Sequence, residues 1–434
     1  TWSAARRLAT AQWIPPVAAA MAFVSPAFGW WSMTTESAVY SAVLVVAALT
    51  TMLWADRRRW AWVGAGALIG LAMCARNDTA TLVVPLVVAA RLHAPAGRRL
   101  RTLGSAAIGL VGALTPLMIA NVVGTGQPWG RAAGRMPWLT SYSEIFAYDH
   151  TATIGKWLNA GLAPAIAIRR LDAVRFAATL GRMLDLRVSW TVAALVAAGL
   201  VDRRLRGQPV ASKRWLVPAS FLLAQFGFLV LVMPYPTYGG TWQRSAPAVV
   251  PFILIAGLEG AAQIGSRATG RDATGLAAGP ARLRLGAVVA ALAVTIGVVA
   301  PPLIGIPVLA NEMIQTQNDD GRQVDLLLPV LRREAHRLGR APVVMTSQSW
   351  ELNEITGYPA VQEPTDGLRS VVDAARRYGV THVVMQREKL HDPVGRSLAR
   401  PGGPCSIVST VGPWIILRFH DTSPTGKQYA RYQS

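Results

Sequence analysis

The sequence predicts a mainly α protein: a polytopic bundle of about nine transmembrane helices with a small extracytoplasmic α/β domain at its C-terminal end. Three observations predict it. The 434 residues are 52% hydrophobic and only 15% charged, with a mean hydropathy of +0.32. The apolar residues fall in long stretches, and no charge appears over 102–130 or 216–243, each longer than the roughly 20 residues that a bilayer core requires. The formal net charge of +20 lies in the gaps between these stretches, where positive-inside topology puts it, and not on one water-facing surface. A disordered chain needs lower hydrophobicity, and a disulfide-stapled module needs more cysteines than Cys74 and Cys405. The pI near 11.2 therefore implies no nucleic-acid partner.

In chain order the expected spans are 13–31, 36–54, 60–75, 79–90, 103–123, 188–201, 216–234, 246–264 and 285–310. The third, fourth and sixth are short for a bilayer, and the third and fourth also fit a re-entrant hairpin. Alternate gaps are basic: Arg6 and Arg7, Arg57 to Arg59, Arg91 with Arg98, Arg99 and Arg101, Arg203 to Arg214, and Arg267 to Arg284. The short gaps on the other side hold only Arg76 and Arg244. Positive charge resists translocation, so the N-terminus is expected in the cytosol and everything after Ala310 outside, with anionic lipid headgroups drawn to the inner face. Thr1 is not an initiator Met and the first span has no cleavage pattern, so the natural chain is expected to begin further upstream.

Domain organisation follows from these assignments. Residues 1–310 form the membrane domain, within which 124–187 is too polar to span and reads as outer interfacial helices. Residues 311–434 read as the outer α/β domain. There, Val324, Leu327, Leu328, Leu331, Ala335 and Leu338 share a helix face before a strand at 342–345, and Leu368, Val371, Val372 and Ala375 mark a second helix before a strand at 381–385. Residues 407–411 and 414–419 can pair across Gly412 and Pro413. A βαβ arrangement is expected, with no glycine fingerprint for a nucleotide. With Cys74 in a span and Cys405 in the outer domain, no disulfide joins them.

No metal-ligand spacing, nucleophile elbow or P-loop is present, so no cofactor is expected, and a divalent metal is left open. The candidates are polar groups at the outer ends of spans. Glu36 reads either as an acidic first-turn residue or as a carboxylate facing an outer cavity. Arg76, Asn77 and Asp78 join two spans; they complement the two helix dipoles, or else Arg76 holds a phosphate while Asp78 orients a sugar hydroxyl or a metal. Tyr235, Tyr238, Trp242, Gln243 and Arg244 make an interfacial aromatic belt or a surface for a sugar beside a phosphate. Glu259, toward the cytoplasmic end of its span, is expected to be solvated or paired.

In this order, Ser25-Pro26 followed by Thr34-Thr35-Glu36-Ser37, Gly66 to Ala72 leading to Ala75-Arg76-Asn77-Asp78 and Pro85, and Gly239-Gly240-Thr241-Trp242-Gln243-Arg244 leading to Pro251 resemble the membrane-embedded GT-C glycosyltransferases. The branch is that of the protein mannosyltransferases and bacterial lipid-sugar transferases, and the resemblance covers about 13–264. It implies a GT-C-like bundle in the plasma membrane that moves a sugar from a polyprenyl-phosphate donor to a glycan, lipid or protein acceptor on the outer face. In such enzymes a carboxylate in the first outer loop is the base and basic residues hold the lipid phosphate. The first span here resembles the family's third. The loop bearing that carboxylate thus either precedes Thr1, or its role has moved or been lost; Glu36 and Asp78 are the candidates present. By the same resemblance, Arg76 and Arg244 would contact donor phosphate, and Tyr238 and Trp242 the sugar or lipid. Two other classes stand beside this one: a non-catalytic envelope scaffold, and a lipid or solute transporter, which would need two related halves that the sequence lacks.

Overall fold

A computed structural model describes residues 1–23, 38–55, 59–129, 138, 144, 146, 153–183, 193, 195–197, 200–201, 213–232, 245–268 and 324–420. The chain divides into two compact units, Thr1–Pro137 with Leu162–Ala310, and Trp138–Gly161 with Asn311–Ser434.

The first unit is mainly helical and has no strand among its described residues. It contains α1 (Trp2–Leu8), α2 (Ile14–Phe23), α3 (Ala38–Trp54), α4 (Arg59–Ala75), a 3-10 turn (Asn77–Leu82), α5 (Val83–His93) and α6 (Arg99–Thr125). After a helix of the second unit, α7 (Ile154–Ala160), the first unit resumes with α8 (Leu162–Met183), α9 (Leu216–Phe226) and its π-helical continuation Gly227–Val232, and α10 (Val250–Ala268). Two stretches, Ala96–Gly124 and Lys213–Val232, are long and apolar enough to cross a membrane, and only 17% and 33% of their most apolar windows are buried. Leu100, Ile108, Val111, Ile119 and Val123 of α6 are exposed. So long an exposed apolar face is suited to lipid. The helices Ala38–Trp54, Trp60–Ala75 and Val250–Gln263 are apolar but shorter. The span expected at 79–90 begins as the 3-10 turn, and most of 188–201 and all of 285–310 lie outside the described residues.

Helices α4 and α6 pack backbone to backbone. A Cβ at Gly66 would overlap the Ala106 carbonyl and one at Gly109 the Val63 carbonyl, while one at Gly70 would sit 2.7 Å from the Leu110 oxygen. Small residues four apart are how helices approach closely where lipid supplies no hydrophobic drive.

The second unit is built on a five-stranded sheet of order β2-β1-β3-β5-β4: β1 (Val344–Thr346), β2 (Ala360–Gln362), β3 (His382–Gln386), β4 (Cys405–Val411) and β5 (Trp414–Phe419). β1 lies parallel to β2 and β3. β5 runs antiparallel to β3 and β4, and the expected hairpin closes with Val411 opposite Trp414. Helices α11 (Leu328–Leu338), α12 (Ser349–Thr356), α13 (Leu368–Tyr378) and α14 (Pro393–Ala399) complete the unit. One core gathers Met345, Val371, Val383, Ile415 and Leu417, and another gathers Leu331, Val344, Val384 and Trp414. Residues 138–161 group with this unit, where the Thr365 N–H donates to the Phe146 carbonyl at 3.4 Å. Both cysteines are free, and burial pushes the Cys405 thiol up to about 12.

A buried ionic cluster ties α11 to the sheet. Arg418 donates to both oxygens of Glu334 at 2.8 Å, and Arg337 donates to Glu334 at 3.2 Å. His382 Nε2 meets Glu334 at 3.0 Å, and its Nδ1 lies 2.9 Å from the Thr381 hydroxyl. Burial lowers the His382 pKa and Glu334 only partly restores it. For Glu334, burial acts upward, but hydrogen bonds from Arg418 and His382 outweigh it and hold the carboxyl below its ordinary value. Below about pH 6.5 the unfolded chain protonates His382 while the folded chain does not. Stability therefore falls with pH from there, and falls again as Glu334 is protonated in turn. Hydrogen exchange of β3 peptides in the full chain, corrected for intrinsic rate, is expected to lose protection by up to about tenfold per pH unit in that window; His382→Gln should flatten the slope.

Candidate functional site

Arg76, Asp78, Gln225 and Ser245 of the first unit meet at the turn between α4 and α5. After Ala75 the chain leaves the helix: Arg76 is extended at φ −156° and ψ 127°, and the 3-10 turn then starts at Asn77. This break folds the Arg76 side chain back over Asp78, whose Oδ1 accepts from Arg76 Nε at 3.1 Å. The two side chains are 10% and 3% exposed. The Ser245 hydroxyl donates to the other carboxylate oxygen, Oδ2. Thr79 donates to the Arg76 carbonyl at 2.7 Å and Thr81 to the Asp78 carbonyl at 2.9 Å. Gln225 of α9, fully buried, donates its amide to that same Asp78 carbonyl at 3.2 Å.

A carboxylate this deeply buried survives only when its charge is met by a cation and further donors. Asp78 has them on both oxygens. It is an anchor for the Arg76 guanidinium, which offers a planar set of donors suited to phosphate. Asn77, at the start of the same turn, is exposed. Glu36 and the cluster Tyr235, Tyr238, Trp242, Gln243 and Arg244 lie outside the described residues.

Two residues joined to this cluster had no signal in the sequence: Gln225 and Ser245. The Gln225 Oε1 is shut from solvent without a hydrogen-bond partner among the described residues. Directly after it α9 widens into the π-helical segment Gly227–Val232, a distortion that frees carbonyls from the regular ladder and is often found beside functional sites. Helix α8 packs over this segment: Arg169 Nε donates to the Leu231 carbonyl at 3.2 Å, and Phe176 meets Phe226 edge to face at 5.1 Å. Glu259 is 5% exposed and accepts from Thr10 through its N–H at 3.0 Å and its hydroxyl at 2.6 Å. It is thus bonded within the protein and stands apart from the Asp78 bonds.

No family model and no curated protein matches the chain. Among solved structures it is similar to two crystal structures of ArnT from Cupriavidus metallidurans. One is bound to undecaprenyl phosphate, with 14% identity and a TM-score of 0.47. The other is in the apo state, with 15% identity and a TM-score of 0.48. In both cases the match covers 96% of this chain and 80% of that chain.

Proposed function

We propose that the chain is an integral membrane glycosyltransferase of the GT-C kind, moving a sugar from a polyprenyl-phosphate-linked donor to an acceptor on the outer face of the plasma membrane. The observation that carries this reading is the Arg76–Asp78 pair, buried within an apolar bundle and tied to two further helical segments through Gln225 and Ser245. Ionised groups inside such a bundle are costly, and binding or catalysis is the usual reason for them.

In this reading Arg76 and Arg244 hold the donor phosphate. Tyr235, Tyr238 and Trp242 pack on the sugar or lipid, with Gln243 and Asn77 at the edge, and Asp78 positions Arg76. With both of its oxygens engaged, Asp78 is poorly placed as a base, and of the two candidates present we assign that role to Glu36. The acceptor hydroxyl passes its proton to the Glu36 carboxylate as its oxygen bonds to the sugar anomeric carbon. The bond from that carbon to the phosphate oxygen breaks, and polyprenyl phosphate leaves with its charge stabilised by the arginines.

The test is transfer from radiolabelled polyprenyl-phosphate sugars by purified full-length protein. Arg76→Ala and Arg244→Ala are each expected to lower the rate by about a hundredfold or more, with Asn77→Ala changing it little. A wild-type protein inert toward a broad panel of such donors, or an Arg76→Ala variant of normal rate, would overturn the reading.

A further inference from the structure

At the opposite end of the first unit from the Arg76 turn, five segments meet. Arg7 of α1 donates to the Leu53 carbonyl at the end of α3 at 3.0 Å, and its guanidinium lies 5.0 Å from the Trp54 ring centroid. The Trp54 indole donates to the Ser3 carbonyl at 3.1 Å. Arg214, in the 3-10 turn Lys213–Trp215, donates to the Arg7 carbonyl at 3.3 Å. Arg99, which opens α6, reaches back to the Arg91 carbonyl of α5 at 3.3 Å. His93, the last residue of α5, lies within electrostatic reach of Arg7 and Arg214.

The described residues of these segments carry Arg6, Arg7, Arg91, Arg98, Arg99, Arg101, Lys213 and Arg214 and no carboxylate. Glu259 bonds to Thr10 close by in sequence, and Asp56, which follows α3, lies outside the described residues. Two polar atoms at this end are shut from solvent with no partner among the described residues: His93 Nε2 and Arg99 Nε. Capping of the α5 C-terminus explains the bond from Arg99 Nη2 to Arg91, but it leaves both of these atoms unexplained. An anion with several oxygen acceptors would supply partners to groups of this kind. Around the cluster Trp2, Trp60, Leu100 and Leu216 are 53%, 82%, 85% and 51% exposed, an apolar rim that suits acyl chains and has no use for a free ion.

We infer that this junction is a specific binding site for the phosphodiester headgroup of an anionic phospholipid, held by His93 and Arg99 with Arg7 and Arg214 behind them. Basic pockets between helices on the cytoplasmic side are suited to such headgroups. The site does not depend on sugar transfer and is read without it.

The experiment titrates phosphatidylglycerol, against phosphatidylcholine, into purified full-length protein in neutral detergent micelles and follows thermal stability and saturable binding, with inorganic phosphate as a third arm. Phosphatidylglycerol should saturate and raise the melting temperature, while phosphatidylcholine and millimolar phosphate should not. Arg99→Gln and His93→Phe should each weaken binding by about tenfold, whereas Arg98→Gln, the same charge change on the exposed neighbour, should leave it within about twofold. Should Arg99→Gln fail to fold, His93→Phe, which keeps an aromatic ring but has no ring nitrogen, decides alone. Equal losses for Arg98→Gln and Arg99→Gln would reduce the effect to general surface attraction. Saturation by inorganic phosphate would make it a free-anion site, and equal response to both lipids would remove the site; each of these overturns the inference.

Discussion

Asp78→Ala is expected to destabilise the first unit by about 3–5 kcal/mol, because it removes the carboxylate to which the buried Arg76 guanidinium donates. It also strips the Ser245 hydroxyl of the carboxylate it donates to. Ser245→Ala, which removes one neutral donor, should cost about 1–2 kcal/mol. The double variant Arg76→Ala with Asp78→Ala should be more stable than the sum of the singles, since neither charge is then left alone. Denaturant titration in detergent, following α4 and α5 peptides by hydrogen exchange, measures all three. Activity separates the roles. Arg76→Ala should abolish transfer even where the protein remains folded, while Ser245→Ala should reduce it less, by loosening the carboxylate that holds Arg76. If Asp78→Ala were neutral for stability, the pair would not be the buried anchor described above.

Gly109→Val is expected to prevent α4 and α6 from packing and to leave little protein that extracts as a single monodisperse species. Its side chain would be driven into the Val63 carbonyl, and Gly66→Val would meet the Ala106 carbonyl in the same way. Backbone atoms cannot rotate aside as a flexible side chain can, so relief requires separating the helices along their whole contact. Overpacking of this kind costs about 1–3 kcal/mol in ordinary cores and more where the obstacle is main chain. Gly104 and Gly112 lie on the same helix as Gly109, and a Cβ there meets nothing within 4 Å. Gly104→Val and Gly112→Val should therefore extract normally, apart from the small penalty of a β-branched residue in a helix. Size-exclusion profiles of the four variants side by side decide the matter, and similar profiles for all four would refute the close pairing.

Much of the second unit was legible because its elements announce themselves locally. The periodic apolar face before Leu338 and the alternation on either side of Gly412-Pro413 need no knowledge of the rest of the chain. β2 was not legible: three half-buried residues, Ala360 to Gln362, carry too short a pattern to stand out, and only pairing with β1 makes them a strand. The cluster around Glu334 was equally hidden, since His382 lies 48 residues away and Arg418 lies 84 away.

The candidate site divides in the same way. Arg76 and Asp78 stood out because opposite charges at a tight turn between apolar stretches are costly and therefore conspicuous. Gln225 is a single amide in an apolar helix, and Ser245 is one serine among many. What marks them is their approach to Asp78 from 147 and 167 residues away, a relation no local pattern encodes. In sequence Asp78 reads as a helix cap, as an acid that orients a sugar hydroxyl or a metal, or as a base; in space its two carboxylate oxygens accept from Arg76 and Ser245.

Binding of a polyprenyl phosphate by Arg76, fixed by Asp78, can be measured apart from turnover. Undecaprenyl phosphate and undecaprenol, which lacks the phosphate, are titrated into the purified full-length protein and its Arg76→Ala and Asn77→Ala variants. Wild type and Asn77→Ala are expected to prefer the phosphorylated lipid by about tenfold or more, and Arg76→Ala to lose the preference while still binding the isoprenoid chain. Equal affinity of wild type for the two lipids, or a preference that survives in Arg76→Ala, would contradict this.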